Sequence, residues 1–333
     1  MTELYPLKFE PILKEKVWGG RSLVLNYGKK ADPAKLIGES WEISGVSDNL
    51  SVAINGFLAD NNIEEIAEVY MGDLTGELVF DKFGVEFPLL IKLIEASSDL
   101  SVQVHPDDVI AREKHHAYGK TEMWYILEAH PGSKIYSGFR EPVTEKQVRT
   151  AIHENRLPEL LNIEYPQPGD VFFTPAGRVH AIGGGITLVE IQQTSDITYR
   201  IFDWNRKATN GEPRELHVEL AMDAIDFNAT GSSIIRKAPL PDTTVNLVSC
   251  KYFVTNIIHL TGILKKDYSL IDSFIIFICT EGKFSVHWVK GSETVIKGET
   301  LLIPASMTDL ILEAVQEAKI LEVFIKTEKP NEK

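Results

Sequence analysis

Cysteine is scarce in this sequence. The 333 residues hold two, Cys250 and Cys279, too few for a disulfide framework and too far apart for a CxxC pair. They fit a reducing compartment and two small buried apolar side chains. Long apolar runs are missing as well, and a membrane helix needs about 20 such residues. The opening stretch, MTELYPLKFEPILKEKVWGG, lacks the apolar core of a signal peptide. Positive charge is in short supply: 34 Lys and Arg face 48 Asp and Glu, for a net charge of −14. Nothing offsets repulsion from nucleic acid or anionic lipid, so neither is expected as a partner. No low-complexity segment occurs. A soluble, cytoplasmic protein is the expectation, with its oligomeric state left open.

What is present is an ordinary globular balance, 44% hydrophobic and 25% charged, in a chain long enough for two domains. Short apolar runs broken by turn residues dominate and read as strands. They include SWEISGV (40–46), PLLIKLIEA (88–96), LSVQVHP (100–106), EMWYILEA (122–129), GDVFFTP (169–175), VHAI (179–182), ITLVEIQQ (186–193) and ITYRIFDW (197–204). Helical spacing is confined to residues 62–82, 141–162 and 213–226. In the second, Thr144 and Gln147 form a capping-box pattern ahead of Val148, Ala151 and Ile152. From about residue 240 the chain turns wholly to short strands, among them SFIIFICTEG, KFSVHWV, TDLILEA and AKILEVFIKT, which read as a sandwich or barrel. A Gly-, Ser-, Pro- and Asp-rich linker at 229–242 separates the two parts. PGDVFFTPA (168–176) and KGETLLIPA (297–305) share one form. The first runs on into a histidine, the second does not, so only the first half is equipped for metal.

Most of the nine histidines have ordinary explanations. His115 and His116 are adjacent and cannot both face one point. His153 and His217 lie on helical stretches, His130 precedes a turn, and His259 and His287 lie on strands without a carboxylate close by. His105 and His180 differ, since each sits at a strand edge beside turn residues, as does Glu122. In SVQVHPDD (101–108), Val102 and Val104 share one strand face, while Ser101, Gln103 and His105 share the other. Gln103, His105, Glu122 and His180 together make a mixed nitrogen and oxygen set. Such a set suits Zn²⁺, and Mn²⁺ or Co²⁺ less well. Glu190 and Gln192 alternate on one face of VEIQQ, and Lys120 would share a face with Glu122. Lys92 interrupts an apolar strand, which by itself fits an exposed edge lysine.

VWGG (17–20), GESWEIS (38–44), PLLIKLIEA with LSVQVHPDD, GKTEMWYIL (119–127), PAGRVHAI (175–182) and VEIQQTSDITYRIFDWNR (189–206) carry a resemblance. In this order they resemble the class I mannose-6-phosphate isomerases (phosphomannose isomerases), especially the short bacterial form. Two departures from the family pattern occur: Thr121 stands where proline is usual, and Gly183–Gly185 lengthens the step from His180 to Glu190 by one residue.

The resemblance implies a mainly β fold of cupin-type double jelly-roll barrels with a small helical insertion. Residues 1–235 would be the catalytic cupin domain, and 240–326 a cupin-like barrel without a metal site. One Zn²⁺ per chain would be held by Gln103, His105, Glu122 and His180. The reaction would be the reversible conversion of mannose 6-phosphate to fructose 6-phosphate through a cis-enediol. Arg200 would be the catalytic arginine, with Glu190 or Lys120 as the base. Lys92 and Ser101 would contact the phosphate of the phosphorylated hexose. Trp18 would belong to a tight Trp18-Gly19-Gly20 turn near the mouth, or else to the core. The alternative for Glu190 is a carboxylate that only pairs with Arg200. A non-catalytic sugar-binding bicupin and a metal-dependent cupin oxygenase are the competing readings.

Overall fold

The computed structural model describes residues 3–207 and 211–327. Three antiparallel sheets frame the fold. The first is built on Ile12–Gly20, Ile37–Val46, Leu89–Ala96, Ile186–Gln193, Glu122–Ala129, Val171–Thr174 and Ile234–Ile235, paired in that spatial order. The second pairs Tyr199–Phe202, Val102–Val104, His180–Ile182, Ile135–Phe139 and Leu161–Glu164. Glu122 on the first sheet lies 3.3 Å from His180 on the second, so the two sheets close face to face. This is the mainly β, jelly-roll architecture expected.

Leu89–Ala96 and Ile186–Gln193 are central strands, buried along all eight residues. Their alternation divides two environments. Leu89, Ile91, Leu93, Val189 and Ile191 pack into a core shared with Leu247, Phe253, Phe274 and Ile276 of the C-terminal part. Ile94, Ala96, Ile186 and Leu188 pack on the opposite side with Trp18, Trp124 and Phe172. Lys92 shares that inner face. It is therefore an interior residue of a central strand, 5% exposed, and not an edge lysine.

The third sheet runs from Thr243 to Phe324. Two of its strands are longer than the sequence suggests. SFIIFICTEG and KFSVHWV form one bent strand, Ile275–Trp288, and TDLILEA and AKILEVFIKT form another, Asp309–Phe324. The pair stays in contact through register breaks between Cys279 and Phe284, with Gly282 at φ +74°. A bulge of this kind bends a strand without ending it. The repeated segments do fold alike. Gly169 (φ +89°) and Gly298 (φ +88°) each turn the chain into a short strand, Val171–Thr174 and Thr300–Ile303.

The helical stretches are shorter than their periodicity implies. Residues 62–82 break into Ile63–Tyr70, Gly72–Thr75 and Glu77–Phe83, divided at Met71 (φ +47°) and Gly76 (φ +96°). Residues 141–162 give Glu145–His153, capped by Thr144 and Gln147 as expected, then a 3-10 turn and the strand Leu161–Glu164. Only Val218–Ala224 of 213–226 is helical. A further helix, Asp108–His115, starts from the Asp107 cap. Trp18, Gly19 and Gly20 end a strand and make no tight turn; the strand is bulged there, and a Cβ on Gly19 would strike the Gly38 backbone at 2.5 Å. Among the described residues no helix is long and apolar enough to cross a membrane.

Candidate active site

Strand register builds the site in rows, because residues opposed across an antiparallel pair project to the same face. On the second sheet Gln103 is paired with His180 on one side and Arg200 on the other. On the first sheet one inward row runs Trp41, Lys92, Glu190, Trp124, Phe172. Glu122 sits opposite Gln192, one step along. Closing the two sheets brings Glu122 between the histidines: its Oε1 lies 3.3 Å from His180 Nε2, and its Oε2 lies 3.4 Å from His105 Nε2.

His105, Glu122 and His180 are at most 1% exposed. Burial pushes both imidazoles down, His180 to about 4, so each ring is neutral near pH 7. Their tautomers follow from their outer partners. His105 Nδ1 donates to the Ile197 carbonyl at 2.9 Å, and His180 Nδ1 donates to the Arg178 carbonyl at 2.8 Å. Each Nε2 is then left with a lone pair aimed inward. Neither Glu122 oxygen accepts a well-formed hydrogen bond, and His105 Nε2 has no partner. Lys120 Nζ stands 3.3 Å from Glu122 Oε2. Burial, and then Glu190, push the Glu122 carboxyl up, against the pull of Lys120 and Lys92. Three acceptors thus converge with no donor among them, an arrangement that costs free energy unless a cation completes it. Their ligand atoms all lie within 4.8 Å of one another, and they form the His/Cys/Asp/Glu group with metal-holding geometry among the described residues. Gln103 adds an amide 3.3 Å from His180 Nε2. The donor set fits a divalent ion of the zinc type.

Beside this cluster lies a cavity of about 330 Å³. Gln103, Lys92, Lys120, Glu190, Ser101, Trp18 and Arg200 all line it, so the side chains singled out in the sequence meet in one place. Its described lining holds six cations, Lys14, Lys16, Lys92, Lys120, Arg200 and Arg214, against three carboxylates, Glu39, Glu190 and Asp196. A cavity positive within a strongly acidic chain attracts an anionic ligand.

Glu190 does not pair with Arg200. Its Oε1 accepts from Lys92 Nζ at 2.9 Å, and its Oε2 accepts from Trp124 Nε1 at 3.0 Å. Burial alone would raise this carboxyl, but Lys92 and Lys120 outweigh it and hold the group well below the usual carboxylate range. Lys92 also donates to Gln192 Oε1 at 2.8 Å. Arg200 donates to the Glu215 carbonyl at 2.9 Å, while its Nε is buried without an acceptor.

Two contributors escaped sequence reasoning. Trp124 lies two residues after Glu122, so the alternation of EMWYIL already placed it inward. Arg214, held by Asp203, fell in a stretch read as the start of a helix and carried no such signal. His259 and His287 do have carboxylate partners, Glu317 at 2.7 Å and Glu313 at 2.8 Å, from a neighbouring strand.

Known proteins are similar to this chain over most of its length. The sequence model of the phosphomannose isomerase type I catalytic domain matches residues 6–135. The chain is 33% identical over 315 residues to mannose-6-phosphate isomerase ManA of Bacillus subtilis (strain 168), spanning 94% of this chain and 97% of that protein. It is 32% identical to the mannose-6-phosphate isomerase of Streptococcus mutans serotype c, over 90% of this chain and 92% of that one. The crystal structure of the mannose 6-phosphate isomerase from Bacillus subtilis superposes with a TM-score of 0.82 at 28% identity, covering 96% of this chain and 99% of that one. The chain belongs to the type I phosphomannose isomerase family.

Proposed function

We propose that the protein interconverts mannose 6-phosphate and fructose 6-phosphate through a cis-enediol, with one Zn²⁺ per chain held by Gln103, His105, Glu122 and His180. The observation that carries this reading is the convergence of two neutral imidazoles on a buried Glu122 that lacks a well-formed hydrogen bond, beside a cationic cavity. Residues 1–235 form the catalytic unit, and residues 240–326 the unit without metal.

Aldose-ketose isomerisation moves a proton between C2 and C1 and builds negative charge on the adjoining oxygens. It needs a base within hydrogen-bond reach and a positive charge near the oxyanion. The cation, when bound, supplies positive charge for that oxyanion. Arg200 stays protonated and offers its unpartnered Nε to the same developing charge. Glu190 is ionised, faces the cavity and takes the proton-transfer role. Two donors on its oxygens weaken it as a base, so Lys120 is the competing assignment. Glu190→Gln and Lys120→Met separate the two, since loss of the base lowers kcat by about 10²–10⁴. Lys92 and Ser101, at the cavity wall, are assigned to the phosphate, with Trp18 closing the apolar side.

A coupled assay on mannose 6-phosphate tests the reading. Turnover to fructose 6-phosphate supports it. Sugar phosphate binding without turnover would favour the non-catalytic bicupin, and oxygen uptake with Fe²⁺ the oxygenase.

A further inference from the structure

Lys120 and Glu122 flank Thr121, and Thr121 is clamped on both backbone groups. Its N–H donates to Gln193 Oε1 at 2.9 Å, and its carbonyl accepts from Gln193 N–H at 3.3 Å. Thr121 and Gln193 are each 5% exposed. The amide of Gln193 is aimed by its other end: Nε2 donates to Asp108 Oδ1 at 2.9 Å. The second oxygen of Asp108 accepts from Tyr252 Oη–H at 2.8 Å and from Lys251 Nζ at 3.0 Å. Tyr252 and Lys251 belong to the C-terminal part, in the turn before the strand Val254–Leu260.

The same aspartate ties the segment down a second time. Gly119 N–H donates to Asp108 Oδ1 at 3.2 Å, and Lys120 N–H donates to the Pro106 carbonyl at 3.0 Å. The approach is close enough that a Cβ on Gly119 would lie 2.6 Å from the Asp107 carbonyl carbon and the Asp108 nitrogen. His105, three residues before Asp108, and Glu122, three residues after Gly119, are thereby fixed to each other through backbone and carboxylate, not only through their own side chains.

We infer that Asp108 is a positioning residue for the isomerase reaction, and that Tyr252 uses it to couple the metal-free C-terminal part to Lys120 and Glu122 through Gln193. The inference rests on the isomerase reading above. Asp108 touches neither the cavity nor the metal cluster, so it acts through others. A catalytic group misplaced by about 1 Å can lose on the order of 10² in rate. Lys251 is largely exposed and contributes little to the relay.

The test combines steady-state kinetics on mannose 6-phosphate with amide exchange over residues 119–123, using the full-length zinc-loaded protein. Asp108→Ala is expected to lower kcat by about tenfold or more with KM changed by less than about twofold, and to speed exchange at the Thr121 amide. Asp108→Asn keeps an acceptor for Gln193 and Gly119, so it restores kcat to within about threefold of the parent. Tyr252→Phe, at the far end of the relay, is expected to speed Thr121 exchange and lower kcat less, independently of any folding defect in Asp108→Ala. Unchanged Thr121 exchange in Asp108→Ala and Tyr252→Phe overturns the relay. Faster exchange with unchanged kcat overturns its part in catalysis. A parent protein inactive on mannose 6-phosphate overturns the isomerase reading, and this inference with it, before any variant is compared.

Discussion

Lys92 and Glu190 are opposed on adjacent strands, and their side chains close a 2.9 Å ion pair inside the protein. Breaking a buried pair by removing one partner typically costs about 3–5 kcal/mol, because the other charge is left uncompensated. Lys92→Met is therefore expected to destabilise by about that amount in urea unfolding. Adding Glu190→Gln should recover a good part of it, since the stranded charge is gone. Costs that simply add would show that the two groups do not depend on each other.

Arg200 is paired in register with Gln103 but has no acceptor group and cannot ligate a cation. Arg200→Ala should keep its fold and its metal. Losing a cation aimed at developing charge typically costs about 10²–10³ in kcat. A raised KM with kcat unchanged would instead make Arg200 a ground-state phosphate contact.

Metal content is expected to separate the two halves of the molecule. The segment KGETLLIPASMTDL offers no histidine where PAGRVHAI has His180. Elemental analysis should find one equivalent of Zn²⁺ per chain, and none in His180→Ala. A second tightly held equivalent in the parent, or one retained in that variant, would contradict the assignment.

Asp203 gives a pH signature. Burial pushes its carboxyl up, but bonds and charge from Arg214 and Arg206 outweigh this and hold it below its ordinary value. A group with a depressed folded pKa contributes stability above its unfolded pKa, about 3.9 for Asp, and loses it as pH falls through the folded value. The difference in melting temperature between the parent and Asp203→Asn should hold steady from pH 7 to about 5, then shrink below about pH 4. A gap that widens toward acid would reverse the sign.

How far the sequence could be read depended on how far each relation reached. Gln103 and His105 share a strand face, which the two-residue period shows directly. Glu122 and His180 become their neighbours only when two sheets close, and the family resemblance supplied that link. The Lys92–Glu190 pair depends on which strands lie side by side, so its lysine read equally well as an exposed edge residue. His259 and His287 looked unpartnered because their glutamates come from another strand. The helix Asp108–His115 was hidden by its polarity: AREKHH has no apolar stripe, and only the Asp107 cap marks it. The long helical reading of 62–82 failed because apolar spacing continues past Met71 and Gly76, where the backbone does not.

The most direct measurement is isomerase activity on mannose 6-phosphate after exhaustive chelation and again after Zn²⁺ is returned. With Glu122, His105 and His180 converging as they do, activity should be abolished by the chelator and restored by the metal. Full activity in protein shown to be metal-free would contradict the central claim.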